Sequence, residues 1–219
     1  MVTCVAEYVV CLTITILTRV DIFVNINIYI NSTMLLPPFN SDGLLPPRDY
    51  PMNFEQLRGC FLVQGSDKTG PNWDTAWRLQ LANNLEILAT QLWKVDVKRI
   101  YVNGSFVEDK DHPNDIDGYF ECELTDLASG ELQQKLNALD EHKVWTWDRS
   151  SRRAAPNSVK NQLPMWHIYR VELYPHFGQA SGITDEFGHQ LQFPSAFRLS
   201  RREHKPKGIV LLERQGKNL

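Results

Sequence analysis

The stretch R-I-Y-V-N-G-S-F-V-E-D-K-D-H-P-N-D-I-D-G-Y-F-E-C-E, Arg99 to Glu123, decides how this chain is read. Arg99 to Asn103 sets Ile100 and Val102 against Tyr101, the period of a short strand that stops at Gly104. Ile116 to Glu123 alternates again, with Ile116, Gly118, Phe120 and Cys122 on one face and Asp117, Tyr119 and Glu121 on the other. A glycine at the end of a strand lets the backbone approach a phosphate closely. The N–H groups that follow, and the Ser105 hydroxyl, can then donate to its oxygens. Asp115 and Asp117 lie two apart at the entry to the second strand, so they project to one side roughly 6.5–7 Å apart along the chain. Carboxylates so placed suit one or two hard cations, which prefer oxygen ligands. Pro113 fixes its own φ and biases His112 toward an extended conformation, stiffening the loop ahead of Asp115. The competing reading is structural: a turn at Gly104, Asp115 capping a strand, and Asp117 facing water.

Outward from this segment, the pattern alternates helices and strands. Trp73, Trp77, Leu81, Leu85, Leu88 and Leu92 recur at helical steps after Asn72, a candidate N-cap, and form one apolar stripe of core residues. Asn53 is placed to cap a short helix carrying Phe54, Leu57 and Phe61. A further helix begins near Ser129 with Leu132, Leu136 and Leu139, and Val144 to Trp147 reads as a strand. Trp166 to Tyr174 reads as a strand ended by Pro175, with Arg170 and Glu172 on one face. Gly208 to Leu212 reads as the last strand. This order predicts an α+β fold (α/β-like), a mixed β-sheet with helices packed on one side. A charged residue inside the apolar strand asks for a reason, so Glu172 is the candidate third carboxylate. A plain Arg170–Glu172 pair on a solvent-facing sheet side is the equal alternative.

The N-terminal part differs in character. Residues 1–33 contain only Glu7, Arg19 and Asp21 as charged residues. Tyr8 to Thr18 is too short for the roughly 20 apolar residues that span a bilayer. An extra pair of strands, a membrane-associating leader, and an upstream extension outside the native product are the three readings. We favour the last, with the start at Met34. The expected organisation is thus an atypical extension over 1–33, an extended arm and short helix over 34–71, and one domain over 72–219.

Composition removes several function classes. A net charge of -3 gives no overall attraction to nucleic acid. The basic run Arg198, Arg201, Arg202, Lys205 and Lys207 reads first as a solvated face or edge strand. Cys4, Cys11, Cys60 and Cys122 form no C-x-x-C pair, which predicts reduced thiols in a cytoplasmic protein. His142, His167, His176 and His189 make no H-E-x-x-H motif, and neither a P-loop nor a G-x-S-x-G elbow is present. Trp145, Trp147, Trp166 and Tyr169 are of a kind that stacks bases, yet aromatics at such spacing are more often core.

The string G-S, nine intervening residues, then D-I-D resembles the signature of the DNA polymerase beta superfamily of nucleotidyltransferases. The longer string G-S-F-V-x-D-K-x-x-P-N-D-I-D is also similar to a family of short, largely uncharacterised bacterial proteins near that superfamily. These share an F-N-x-D-G-L-L-P-P opening, here Phe39 to Pro47, and a K-G-I-V stretch, here Lys207 to Val210. The resemblance covers about Leu35 to Leu212. It implies a minimal nucleotidyltransferase fold and transfer of a nucleoside monophosphate from a nucleoside triphosphate to an acceptor hydroxyl. It further implies Asp115, Asp117 and Glu172 as catalytic, metal-holding carboxylates for two Mg²⁺ ions, and Gly104, Ser105 and Lys110 as phosphate contacts. The acceptor, protein or nucleic acid, is left open, as is the oligomeric state, and no membrane partner is expected. The alternative is a non-catalytic nucleotide-binding or toxin–antitoxin interaction module on the same fold.

Overall fold

A computed structural model describes residues 36–155, 160–201 and 203–214. The chain divides between Met34 and Leu35, and the fold is that of the second unit. The readings made for residues 1–33 lie outside the described residues.

In chain order the elements are β1 (Asp49–Met52), α1 (Phe54–Gly59), α2 (Phe61–Gln64), α3 (Thr75–Lys94), β2 (Ile100–Asn103), β3 (Ile116–Glu121), α4 (Leu124–Ala128) and α5 (Glu131–Leu139). There follow β4 (Arg153–Ala154), β5 (Asn161–Gln162), α6 (Pro164–Tyr169), β6 (Val171–His176), β7 (Ala180–Thr184), β8 (Gln190–Gln192), α7 (Phe193–Ala196) and β9 (Ile209–Leu212). Five strands make the central sheet in the order β1-β9-β2-β3-β6. The outer pairs β1–β9 and β3–β6 are parallel, and the inner pairs β9–β2 and β2–β3 antiparallel. The fold is therefore α+β with a mixed sheet. Two small hairpins, β4–β5 and β7–β8, stand apart from it.

The long helix packs on one face of this sheet. Leu81, Leu85, Leu88 and Leu92 of α3 are fully buried with Ile100, Val102, Ile116 and Phe120. Burying each such side chain stabilises the fold by about 1.5–3 kcal/mol, so the stripe anchors the whole layer. Asp74, not Asn72, caps α3 by accepting the Trp77 N–H at 3.0 Å, which leaves Trp73 outside the helix. Asn53 and Gln56 close a reciprocal capping box on α1. The helix breaks at Cys60, and Phe61 opens α2. The opposite face of the sheet carries a smaller cover, in which Phe193, Ala196 and Phe197 pack on Tyr101, Tyr119 and Ile209.

The structure corrects the reading of Trp166 to Tyr174 as one strand. Its first part is α6, opened by Pro164 in the first turn and closed by Arg170 in the left-handed region (φ 55°, ψ 35°). Met165, Trp166 and Tyr169 are buried at helical spacing; a short aromatic run satisfies both periods, and neighbours decide between them. Arg170 consequently shares no strand face with Glu172, and the Arg170–Glu172 pair does not form. The strand proper is β6, which runs through Pro175 to His176. It is an edge strand, where a missing N–H costs no ladder bond. Val144 to Trp147 is not a strand either. The amide of Asn137 takes the place of a strand partner, accepting from Trp145 N–H at 2.9 Å and donating to its carbonyl at 2.8 Å.

Three distant segments meet at one end of the sheet. The Phe39–Pro47 arm contacts the loop after β2, with Asp109 N–H donating to Gly43 O at 2.8 Å and a bridge joining Leu44 to Glu108. The Lys207–Val210 segment joins the same arm through Gly208 N–H to Leu45 O at 2.9 Å. A Cβ on Gly208 would sit 2.6 Å from Pro46 O, so only glycine allows that approach. The two terminal motifs are thus packed together around the central one.

Candidate functional site

The register of the sheet builds the site. Asn103, the last residue of β2, lies opposite Asp117 on β3, and Asp117 lies beside Glu172 on β6. Gly104 follows in the left-handed region at φ 74°, starting a single 3₁₀ turn over Gly104–Val107. A Cβ there would stand 2.8 Å from Asp117 Oδ2 and 3.2 Å from Asp117 N. Gly104 is a glycine because the backbone must take that φ and because the Asp117 carboxylate lies against it.

These residues open on a cavity of about 1540 Å³. Its lining includes Gly104, Ser105, Asp115 and Asp117 on one side and Arg152, Trp166, Glu172 and Tyr174 on another. Asp115 is held from behind, with Trp166 Nε1–H donating to its Oδ2 at 2.7 Å. The Asp117 carboxylate is set deep, though its edge opens on the cavity, and no hydrogen bond to it is found among the described residues. Burial first, then the neighbouring Asp115 charge with a further contribution from Glu172, pushes its pKa up to about 7; Arg201 and Lys207 oppose this. Asp117 is thus half-buried at the cavity and not fully exposed to water.

Glu172 is buried and engaged. Its Oε1 accepts the Leu163 N–H at 2.6 Å and lies 3.6 Å from the Arg152 guanidinium. Its Oε2 accepts the Tyr174 hydroxyl, which in turn accepts from Arg152 Nη2 at 3.2 Å. Asp115 and Glu172 flank Asp117, the one by sequence and the other by register. However, among the described residues no group of three or more His, Cys, Asp or Glu side chains is arranged to hold a metal. The oxygens that could face a hard cation are those around Asp117: among the described residues no donor to this carboxylate is found, and the buried Asn103 Oδ1 across the ladder has no hydrogen-bond partner. Two carboxylates and an unsatisfied amide oxygen call for positive charge, and Glu172 is held one strand away by its own donors.

Lys110 is exposed and lines the cavity, and its carbonyl accepts from Arg78. Arg78, inside the apolar stripe, receives no functional reading from the sequence, yet it organises the loop. The guanidinium is fully buried and donates to the carbonyls of Leu62 at 2.7 Å, Phe106 at 2.8 Å, Glu108 at 3.3 Å and Lys110 at 2.5 Å. It also lies 3.7 Å over the Trp73 ring. Burial lowers its pKa to about 10, with Asp109 and Asp111 opposing. An arginine in a leucine stripe, four residues after Asp74, is the one signal in the sequence that marks it.

The basic run is only partly a solvated face. Arg198 holds Asp49 through two donors and Tyr119 through a third. Lys205 pairs with Asp42 and Glu203, and Lys207 is buried against Glu108. Arg201 lines the cavity; Arg202 lies outside the described residues. Of the aromatics, Trp145 and Tyr169 are core, and Trp147 donates to Leu173 O at 2.8 Å. No helix among the described residues is long and apolar enough to cross a membrane.

Fold and site together define an α+β protein with a deep, mixed-charge cavity at one end of its sheet. The chain belongs to a family of unknown function, DUF6932, which matches residues 37–213. Neither a curated protein nor a solved structure matches it.

Proposed function

We propose that this protein is a metal-dependent nucleotidyltransferase of minimal polymerase-beta type, moving a nucleoside monophosphate from a nucleoside triphosphate to an acceptor hydroxyl. One observation carries the reading: Gly104 packs against the Asp117 carboxylate, which faces a large cavity and finds no donor among the described residues. The acceptor hydroxyl attacks the α-phosphorus, its proton is lost, and pyrophosphate leaves. Mg²⁺ held by Asp115 and Asp117, with Glu172 as third carboxylate, would supply the charge that lowers the barrier to deprotonation and neutralises the leaving group. The turn at Gly104 and Ser105 orients the phosphates with its N–H groups and hydroxyl. Trp166 fixes Asp115, and Tyr174, Arg152 and the Leu163 N–H fix Glu172, so most of the catalysis is positioning. The cavity exceeds the roughly 300–1,000 Å³ of an ordinary ligand pocket, which leaves room for an acceptor beside the nucleotide. The unpaired thiols of Cys60 and Cys122 accord with work in the cytoplasm.

The test is consumption of labelled nucleoside triphosphate with Mg²⁺. Asp115→Ala and Asp117→Ala should each lower turnover by more than about a hundredfold; turnover that survives both changes rejects the mechanism. The engagement of both Glu172 oxygens favours a second reading, a nucleotide-binding or interaction module without turnover. Calorimetry showing metal-dependent nucleotide binding with no product would select it.

A further inference from the structure

Lys207 is 3% exposed, and a buried lysine is tolerated only where its charge is matched. Glu108 matches it, and the same ammonium lies 3.4 Å from Gly104 O, beside the turn that faces Asp117. An ammonium has three donors; these two contacts leave one, and Lys207 lines the cavity with Gly104 and Ser105. Arg201, six residues earlier on the same returning segment, lines that cavity too. It is exposed, no partner for it is found among the described residues, and its charge bears on both Asp117 and Lys207. Lys110, the cation of the motif loop, also lines this cavity, but it is exposed and its carbonyl is tied to Arg78, whereas Lys207 is buried beside the Gly104 turn. Gly208 fixes where the lysine falls, because its missing Cβ lets the segment lie against Pro46.

We propose that the polyphosphate end of the ligand is bound by the returning C-terminal segment, with Lys207 as the buried cation beside Gly104 and Ser105 and Arg201 as the cation at the mouth. This rests on the nucleotide reading for the identity of the ligand, but not on turnover. A polyphosphate matches the pair in chemistry, since it presents several oxyanions to a lysine point charge and an arginine fork. The Lys207 ammonium also lies near the Asp117 carboxylate, since Gly104 touches both.

The experiment is calorimetric titration of the full chain with inorganic tripolyphosphate, which has no base and no transferable nucleoside. Arg201→Ala, an exposed change that leaves packing alone, should weaken binding roughly fivefold, in line with one charge-assisted contact. Lys207→Met alone would strand Glu108, so Lys207→Met combined with Glu108→Gln removes the pair together, and binding should weaken about tenfold or more. Lys135→Ala, on the remote helix α5, should leave it unchanged. Tripolyphosphate binding that is undiminished in both site variants overturns the assignment, as does no binding to the wild type, or a larger loss on Lys110→Ala. Transferase activity with unaltered KM in the Lys207/Glu108 variant would refute the subsite while sparing the proposed reaction. Tripolyphosphate binding lost in that variant, in a protein that turns over no nucleotide, would sustain the subsite and refute the reaction.

Discussion

Asp117 is the residue with most to reveal about stability. Burial pushes its pKa up to about 7 in the folded chain, against an ordinary 3.8 in the unfolded one. The folded state therefore binds the extra proton, and metal-free protein loses stability as pH rises from about 4 through 7. Asp117→Asn removes that slope and should raise the melting temperature in EDTA at pH 7.5. The gain is about 1–2 kcal/mol, less than about 1.4 kcal/mol per pKa unit would give, because one edge of the group meets the cavity. A lower melting temperature for the variant would contradict this account. Gly104 behaves in the opposite sense: Gly104→Ala strains a φ of 74° and drives a methyl to 2.8 Å from Asp117 Oδ2. It should cost about 1–3 kcal/mol in urea denaturation and abolish nucleotide binding together with it.

At the scale of elements, α3 and the loop after β2 are one device. Arg78 ties the helix to four carbonyls spread over Leu62 to Lys110, and no other side chain in that stripe can reach them. Arg78→Met would leave several buried acceptors without donors and should destabilise by at least about 3 kcal/mol in denaturant titration. Arg78→Lys, which keeps the charge but lacks the fork, should recover only part of that. The stripe itself was legible from spacing, because a helix buries whatever recurs at its own period. Arg78 was not legible: its four partners are assembled by tertiary contact. The same holds for α6, where an aromatic run that fits two periods became helix because Arg170 accepts a left-handed cap and β6 begins at Val171, setting Glu172 beside Asp117.

Across the whole molecule, the fold closes by bringing the Phe39–Pro47 arm and the Lys207–Val210 segment onto the loop between β2 and β3. The second unit begins at Leu35, and its core cluster contains residues from Leu36 to Leu212. A chain of residues 35–219 keeps this whole cluster and should melt cooperatively, within about 2 °C of the full chain if the cluster alone sets the transition. A shift of more than that, or a broadened transition, would give residues 1–34 a part in holding the fold.

Local spacing by itself determined the apolar layer, the strand–turn–strand unit and the positions of Gly104, Asp115 and Asp117, because each depends on residues near in sequence. Only the tertiary structure decided what surrounds them. Strand register set Glu172 beside Asp117, and Trp166 reached back to Asp115 from α6. Closure of the sheet by β9 carried Lys207 and Arg201 to the cavity. Charges separated by about a hundred residues acquire their meaning from which strands pair, and no periodicity in the chain records that pairing.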